Sequence, residues 1–128
     1  MPRGYLILFI FCLFSGHHPS IRVSLKNAVI NKYEYLQGNY QASSEVNGQT
    51  SWVKGAYAIW SMRNGRWIFG KKGSIGEKTG MIHSKQLSGL TDGDSEWKYF
   101  VGGFCGTACW IHPSDPKDIE ISYNHGKY

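Results

Sequence analysis

The sequence predicts an all-β fold, a small antiparallel meander of hairpins that curls into a sandwich or an open barrel. The 128 residues include 5 Trp, 8 Tyr, 6 Phe and 16 Gly, and aromatics combined with many glycines are typical of short strands joined by tight turns. A second signal comes from Asn47-Gly48 and Asn64-Gly65, because this dipeptide accepts the positive φ angles of hairpin turns. The length fits one domain.

The first residues have the order of a secretory signal peptide. Arg3 precedes nine consecutive apolar residues, 6–14, and two small residues follow. Nine apolar residues are too few for a membrane-spanning helix, which needs roughly 20. We therefore expect residues 1–16 to be a signal peptide, cleaved within residues 15–24, and the mature protein to be secreted without a transmembrane span. The alternative is a buried N-terminal strand or helix.

Residues 17–34 favour no single structure. Apolar residues alternate over 21–25 as in a strand, whereas those over 25–29 could form one face of a helix. We expect this segment to be an N-terminal extension outside the main core. The Trp-rich β domain then covers residues 35–123, and residues 124–128 form a tail.

The first hairpin of the β domain begins with a short strand over residues 35–40. Asn47-Gly48 turns the chain and places Val46 opposite Gln49. The return strand contains Trp52. The sequence therefore predicts an antiparallel pair at this position.

The second hairpin has its turn at Asn64-Gly65, between strands at 56–63 and 66–70. A two-residue turn would place Met62 opposite Trp67. Because side chains alternate along a strand, one face would then form the core, with the residues Ala58, Trp60, Met62, Trp67 and Phe69. The other face would carry Tyr57, Ile59, Ser61 and Ile68.

For the remaining chain the sequence predicts loops between short strands. Residues 70–80 are rich in Gly and Lys and predict a mobile loop. They do not match a phosphate-binding motif, because Glu77 interrupts the required Gly-Lys-Ser/Thr. Further strands are predicted at 97–101, 110–113 and 119–123.

Cys105 and Cys109 are the two cysteines that remain after residues 1–16. Two cysteines in a secreted protein usually pair, so we expect a Cys105–Cys109 disulfide. Free or intermolecular thiols remain an alternative, as does a metal site that includes His112, although zinc would need a fourth ligand. We expect no cofactor and no metal.

The order of turns and aromatics in this chain follows a recognisable pattern. Its first half consists of Gly38-Asn39-Tyr40, Val46-Asn47-Gly48, Trp52, Ile59-Trp60 and the run 64–70; Trp97, Trp110, Pro113 and the run 119–121 complete it. The pattern resembles small Trp/Tyr-rich β modules that occur singly and in tandem in secreted and multidomain proteins of marine invertebrates and protists. The resemblance implies secretion and recognition rather than catalysis.

The favoured function is a secreted, non-catalytic recognition or structural module that binds extracellular glycans or proteins. Exposed Trp and Tyr rings stack on sugars or anchor protein partners. The candidate binding residues are Tyr57, Ile59, Tyr99 and Trp110. The formal net charge of +5 is scattered, with one adjacent basic pair at Lys71-Lys72, and a nucleic-acid partner is not expected because such proteins carry denser basic stripes.

The alternative function is a small secreted hydrolase that uses residues 105–118. Its site would join His112 with Asp115 or Asp118, since a base needs an acidic partner within hydrogen-bond reach. No serine stands in a nucleophile-elbow motif. Recognition is therefore favoured over catalysis.

Overall fold

A computed structural model describes the chain over residues 19–86, 90, 96–102 and 109–124. Within these ranges the chain forms nine antiparallel strands in one sheet, which curls into a half-barrel. Strands make up 52% of the structure and helices 18%, which confirms the all-β class. No helix in the described ranges has the length and apolar character needed to cross a membrane.

The strands take up most of the described chain. In order they are β1 (Ser20–Leu25), β2 (Gly38–Val46), β3 (Gln49–Lys54), β4 (Tyr57–Ser61), β5 (Arg66–Lys71), β6 (Ile82–Gln86), β7 (Trp97–Phe100), β8 (Trp110–Ile111) and β9 (Ile119–Tyr123). An α-helix, α1 (Asn27–Tyr33), follows β1, and short 3-10 turns cover Glu34–Leu36, Lys72–Ser74 and Pro116–Asp118.

The strand order explains the curl of the sheet. Strands β1 to β8 each pair with the next, and β9 returns to pair with β1, so β8 and β9 are the two edges. Eight flat strand spacings would separate these edges by about 38 Å. The chain from Ile111 to Ile119 spans at most about 28 Å. The sheet must therefore bend to bring its edges together.

Residues 17–34, expected to lie outside the main core, include a strand and a helix of the core. β1 lies between β2 and β9, and Ile21, Val23 and Leu25 are buried. Asn27 adopts a φ of +57°, which Asn tolerates better than most residues, and redirects the chain into α1. The alternating apolar residues of β1 lie on one face of the sheet and are buried there in the main core.

Helix α1 lies across the open side of the half-barrel. Its buried residues Val29 and Tyr33 pack with the sheet. At one end, Asn27 Nδ2 donates to Oδ1 of Asp118, the residue just before β9, at 2.8 Å. At the other end, the Tyr33 hydroxyl donates to the Phe100 carbonyl oxygen on β7 at 2.6 Å. We call the sheet face that packs on α1 the inner face, and the opposite one the outer face.

The first Asn-Gly turn is confirmed. Val46 lies opposite Gln49, and Asn47 and Gly48 have φ angles of +53° and +83°. This is the backbone conformation for which the dipeptide is suited.

The predicted register of the second hairpin is wrong by one residue. Trp60 lies opposite Ile68 and Ser61 opposite Trp67. The Met62 amide donates to the Arg66 carbonyl oxygen at 2.8 Å, which leaves three residues in the loop, with Gly65 at a φ of +86°. A three-residue loop with its last residue in the left-handed region is the next commonest hairpin connection after the two-residue turn.

This shift places the two tryptophans of the hairpin on opposite faces of the sheet. Trp67 and Phe69 belong to the inner core, whereas Ala58 and Trp60 pack with Ile68 on the outer face. Four of the five predicted core residues are buried; the fifth, Met62, is partly buried against the outer cluster.

The segment 70–80, expected to be a mobile loop, folds back over Trp60. The Trp60 indole Nε1 donates to the Glu77 carbonyl oxygen at 3.2 Å, and Ile75 packs against the same cluster. A Cβ at Gly70 would lie 2.7 Å from Trp60 Cη2, so a glycine at this position lets the indole lie close to β5. The loop thus covers the outer cluster.

Candidate binding surface at the β7–β8 edge

The four predicted binding residues do not form one surface. Ile59 and Tyr99 are buried in the inner core, so their assignment to an exposed surface is corrected. They lie in a row of inward-facing residues that crosses the sheet from β4 to β7 through Phe69 and Ile82. The curl of the sheet and helix α1 cover this row, which hairpin patterning alone does not reveal.

Tyr57 and Trp110 are half-buried and lie in different places. Tyr57 contacts Tyr35, with ring centroids 4.8 Å apart, and 43% of Tyr35 is exposed. Trp110 lies at the edge strand β8. The two positions are therefore separate candidates.

Trp110 belongs to an aromatic group on the outer face, which we call the edge cluster: His83, Phe100 and Trp110. Phe100 lies directly opposite Trp110 across the β7–β8 pair, with ring centroids 5.3 Å apart. The His83 ring lies 4.2 Å from the Trp110 ring in an edge-on arrangement. Phe100 is 39% exposed, so the cluster presents a partly open aromatic surface.

A cavity of about 220 Å³ adjoins the edge cluster, and we call it the cationic cavity. His83 belongs to both. Its charged and imidazole-bearing lining residues are Arg66, His83, Lys85, Glu96, Lys98 and His112. A second cavity of about 250 Å³ shares Glu96 and His112 and extends along Pro113 and Pro116.

The charges of the cationic cavity do not cancel. Lys85 Nζ lies 3.9 Å from Glu96 Oε2, so these two side chains pair with each other. Arg66 and Lys98 have no acidic partner among the residues that the structure describes. Two cations beside an aromatic surface favour a ligand that carries negative charge.

The titration of His83 reflects this environment. Burial lowers the pKa of His83, and the positive charges of Arg66 and Lys98 lower it further, against a backbone hydrogen bond at Ser84 that raises it. The His83 imidazole is therefore neutral over a wider pH range than the imidazole of an exposed histidine. The positive charge of the cavity near neutral pH comes from Arg66 and Lys98.

We expect the thermal stability of the protein to fall as the pH drops below about 6.5, the ordinary histidine pKa. Because the pKa of His83 is lower in the folded state, the unfolded chain takes up this proton first, and the stabilisation present above pH 6.5 is lost on acidification. Melting temperatures measured from pH 7.5 to 5 test this. His83→Gln should show a shallower decline than the wild type. An equally steep decline in the variant would assign the effect to other groups.

The residues predicted for hydrolysis have other roles. Asp118 is buried and its carboxylate accepts from Asn27. Asp115 Oδ1 accepts from the Lys117 amide at 2.9 Å and caps the turn before β9. His112 Nδ1 lies 3.2 Å from the Trp97 carbonyl oxygen. The structure thus brings neither carboxylate to the His112 ring.

The predicted Cys105–Cys109 disulfide involves Cys105, which lies outside the described residues, and the pairing stays a prediction. The Cys109 carbonyl oxygen accepts from the Val101 amide at 2.8 Å, which places Cys109 beside the end of β7. Across the part of the chain that the structure describes, no group of three or more His, Cys, Asp or Glu residues is placed to hold a metal ion.

Sequence reasoning missed Arg66, His83 and Lys98 as neighbours. His83 falls in a stretch for which the sequence predicts no strand, but it lies on β6. Its register partners are Ile68 on β5 and Lys98 on β7. Only the pairing of three strands brings these groups together.

No protein-family model, curated protein or solved structure matches the chain. The resemblance to Trp/Tyr-rich β modules therefore stays an expectation, and the edge cluster and its cavity are the features of the chain that bear on function.

Proposed function

We propose that the protein is a secreted, non-catalytic recognition module that binds an extracellular glycan or protein through the edge cluster. One observation carries the proposal. All five tryptophans lie in the described residues, and four of them, Trp52, Trp60, Trp67 and Trp97, are buried, whereas Trp110 is half-buried. The indole that remains accessible is the one that contacts both Phe100 and His83.

An accessible indole beside a phenyl ring suits recognition. Aromatic faces carry a large apolar area, and a Trp near a surface typically meets a partner that offers both apolar and polar groups. Tryptophan is also the residue type most enriched at the energetic centres of interfaces. Single exposed apolar residues need no explanation, but the edge cluster adjoins a charged cavity, and this combination supports a binding role.

The leader is part of the proposal. Residues 1–16 would direct the chain to secretion, and β1 supports cleavage in the early part of the interval 15–24. β1 begins at Ser20 and is buried from Ile21 onward. A cut beyond Ser20 would remove part of this strand, so we place the cut before Ser20. The Cys105–Cys109 disulfide belongs to the same proposal, because secretion exposes both thiols to oxidising conditions.

Replacing Trp110 with Ala is expected to weaken ligand binding by about tenfold or more, the effect of losing a central aromatic contact. The secreted wild-type protein and Trp110→Ala would be compared on a glycan array and in a pull-down from extracellular material. Tyr35→Ala is the matched control, because it removes an exposed aromatic that lies outside the edge cluster. Unfolding midpoints establish that both variants fold.

Equal binding by Trp110→Ala and the wild type would contradict the proposal. Loss of binding in Tyr35→Ala alone would place the surface at the tyrosines Tyr35 and Tyr57 instead. No binding by the wild type to any glycan or extracellular protein would remove the proposed function altogether.

A further inference from the structure

We infer that the ligand of this surface is an anionic saccharide, whose carboxylate or sulfate group enters the cationic cavity between Arg66 and Lys98 while a sugar ring lies on Trp110. This inference rests on the proposed function and adds the chemical class of the ligand.

The charge of the cavity selects an anion. Lys85 and Glu96 form their own pair at the cavity, which leaves Arg66 and Lys98 as its unpaired cations within the described chain. A guanidinium group presents two parallel N–H donors that match the two oxygens of a carboxylate or sulfate. A neutral ligand would leave both cations without a partner.

The positive charge of Lys98 lies within reach of a sugar ring that stacks on Trp110. Lys98 and Phe100 are two residues apart on β7 and share the outer face, and Phe100 lies opposite Trp110. Two residues along a strand span about 7 Å and neighbouring strands lie about 4.8 Å apart, so the backbones at Lys98 and Trp110 are separated by about 8 Å, which is close to the length of a sugar ring together with an acidic substituent. A ring that lies on Trp110 can therefore direct its acidic group toward Lys98. His83 lies opposite Lys98 and forms the wall between the ring and the anion.

The volume of the cavity limits what enters it. The cavity measures about 220 Å³, below the roughly 300–1,000 Å³ of pockets that enclose a drug-sized ligand. It suits the acidic end of one saccharide unit, with the neighbouring units lying over the edge cluster. A nucleic acid would require a longer stripe of cations, whereas this cavity offers two unpaired cations, Arg66 and Lys98, among the described residues.

The test uses two pairs of oligosaccharides that differ in charge. Hexagalacturonate is compared with its methyl ester, and sulfated maltohexaose with maltohexaose, by isothermal titration calorimetry against the secreted protein. We expect at least one charged probe to bind about tenfold or more tightly than its uncharged counterpart. The pair that shows this difference identifies the acidic group. Sodium sulfate serves as the anion without a sugar and should bind far more weakly.

Variants locate the charge effect. The double variant Arg66→Gln/Lys98→Gln should lose about tenfold or more in affinity for the charged probe. The control Lys71→Gln/Lys78→Gln removes the same number of charges from exposed positions outside the cavity and should bind within about threefold of the wild type. Lys98→Arg keeps the charge and should retain binding, and unfolding midpoints report whether each variant folds.

Several outcomes would overturn the inference. They are uncharged probes that bind as tightly as charged ones, a site variant that binds like the wild type, a control variant that loses as much as the site variant, and sodium sulfate that binds as tightly as the saccharides. In each of these cases the proposed function stands if Trp110→Ala still loses binding to a glycan or protein. If Trp110→Ala has no effect on any ligand, the proposed function fails as well.

Discussion

Replacing Val23 with Asp is expected to abolish cooperative folding of the protein. Val23 is fully buried at the centre of β1, between β2 and β9. An unpaired carboxylate at this position would cost several kcal/mol, or force its own protonation. Small domains are stable by only about 5–15 kcal/mol. Near-ultraviolet circular dichroism and thermal melts should show that the native signal and the unfolding transition are lost.

The adjacent position provides the control. Arg22 lies on the same strand and is exposed, so Arg22→Asp introduces the same residue on the opposite face. This variant should unfold cooperatively within about 1 kcal/mol of the wild type. If Val23→Asp melts like Arg22→Asp, residues 17–34 form an extension outside the core, and the position of β1 in the sheet is contradicted.

Replacing Trp60 with Ala is expected to lower the free energy of unfolding by about 3–5 kcal/mol, the usual cost of emptying a buried aromatic site. The indole is fully buried between the outer face of the sheet and the segment 70–80. Its removal leaves a cavity beside Gly70. It also leaves the Glu77 carbonyl oxygen without the hydrogen bond from the indole. Urea unfolding measures the loss.

Tyr123→Ala is the matched aromatic variant for this measurement. Tyr123 is 52% exposed and contacts Trp52, with ring centroids 6.1 Å apart. Removing it should cost less than about 1 kcal/mol. A Trp60→Ala variant that loses no more than Tyr123→Ala would show that the segment 70–80 does not cover the indole.

Turn residues predicted the hairpins but not the register of the second one. Asn64-Gly65 marks a reversal of the chain, yet both a two-residue loop and a three-residue loop accept this dipeptide. The difference of one residue exchanges the faces of the sheet, which is why Trp60 and Trp67 were assigned to one face and lie on two. Both are buried as predicted, but for a reason that the sequence did not show: the inner core covers Trp67 and the segment 70–80 covers Trp60.

The N-terminal segment was ambiguous for a related reason. Its apolar spacing changes from a strand period to a helix period within a few residues at Asn27, and local periodicity does not say where an element packs. The position of β1 depends on β9, nearly one hundred residues later in the sequence. Contacts over this separation are set by the closure of the whole sheet.

The candidate site was predictable only in part. Trp110 was predicted as a binding residue from its position on a strand and its aromatic side chain. Arg66, His83 and Lys98 stand far apart in the sequence, and they become neighbours through the pairing of β5, β6 and β7. β6 escaped prediction because its alternation is weak, with Ile82 followed by the small polar Ser84 on the inward side. The Ser84 hydroxyl accepts a hydrogen bond from the Trp67 backbone amide at 2.9 Å, which explains why a polar residue lies in the core.

The proposed position of a ligand on Trp110 is tested most directly by a proton–nitrogen correlation spectrum recorded during titration with the tightest-binding of the four oligosaccharides. The five tryptophans give one side-chain N–H signal each. The largest shift should occur at the Trp110 indole, with the backbone amides of Lys98 and Phe100 next, while the buried Trp60 and Trp67 indoles stay in place. A largest shift at Trp52, beside Tyr123, or shifts of equal size at all five indoles would contradict a binding surface at the edge cluster.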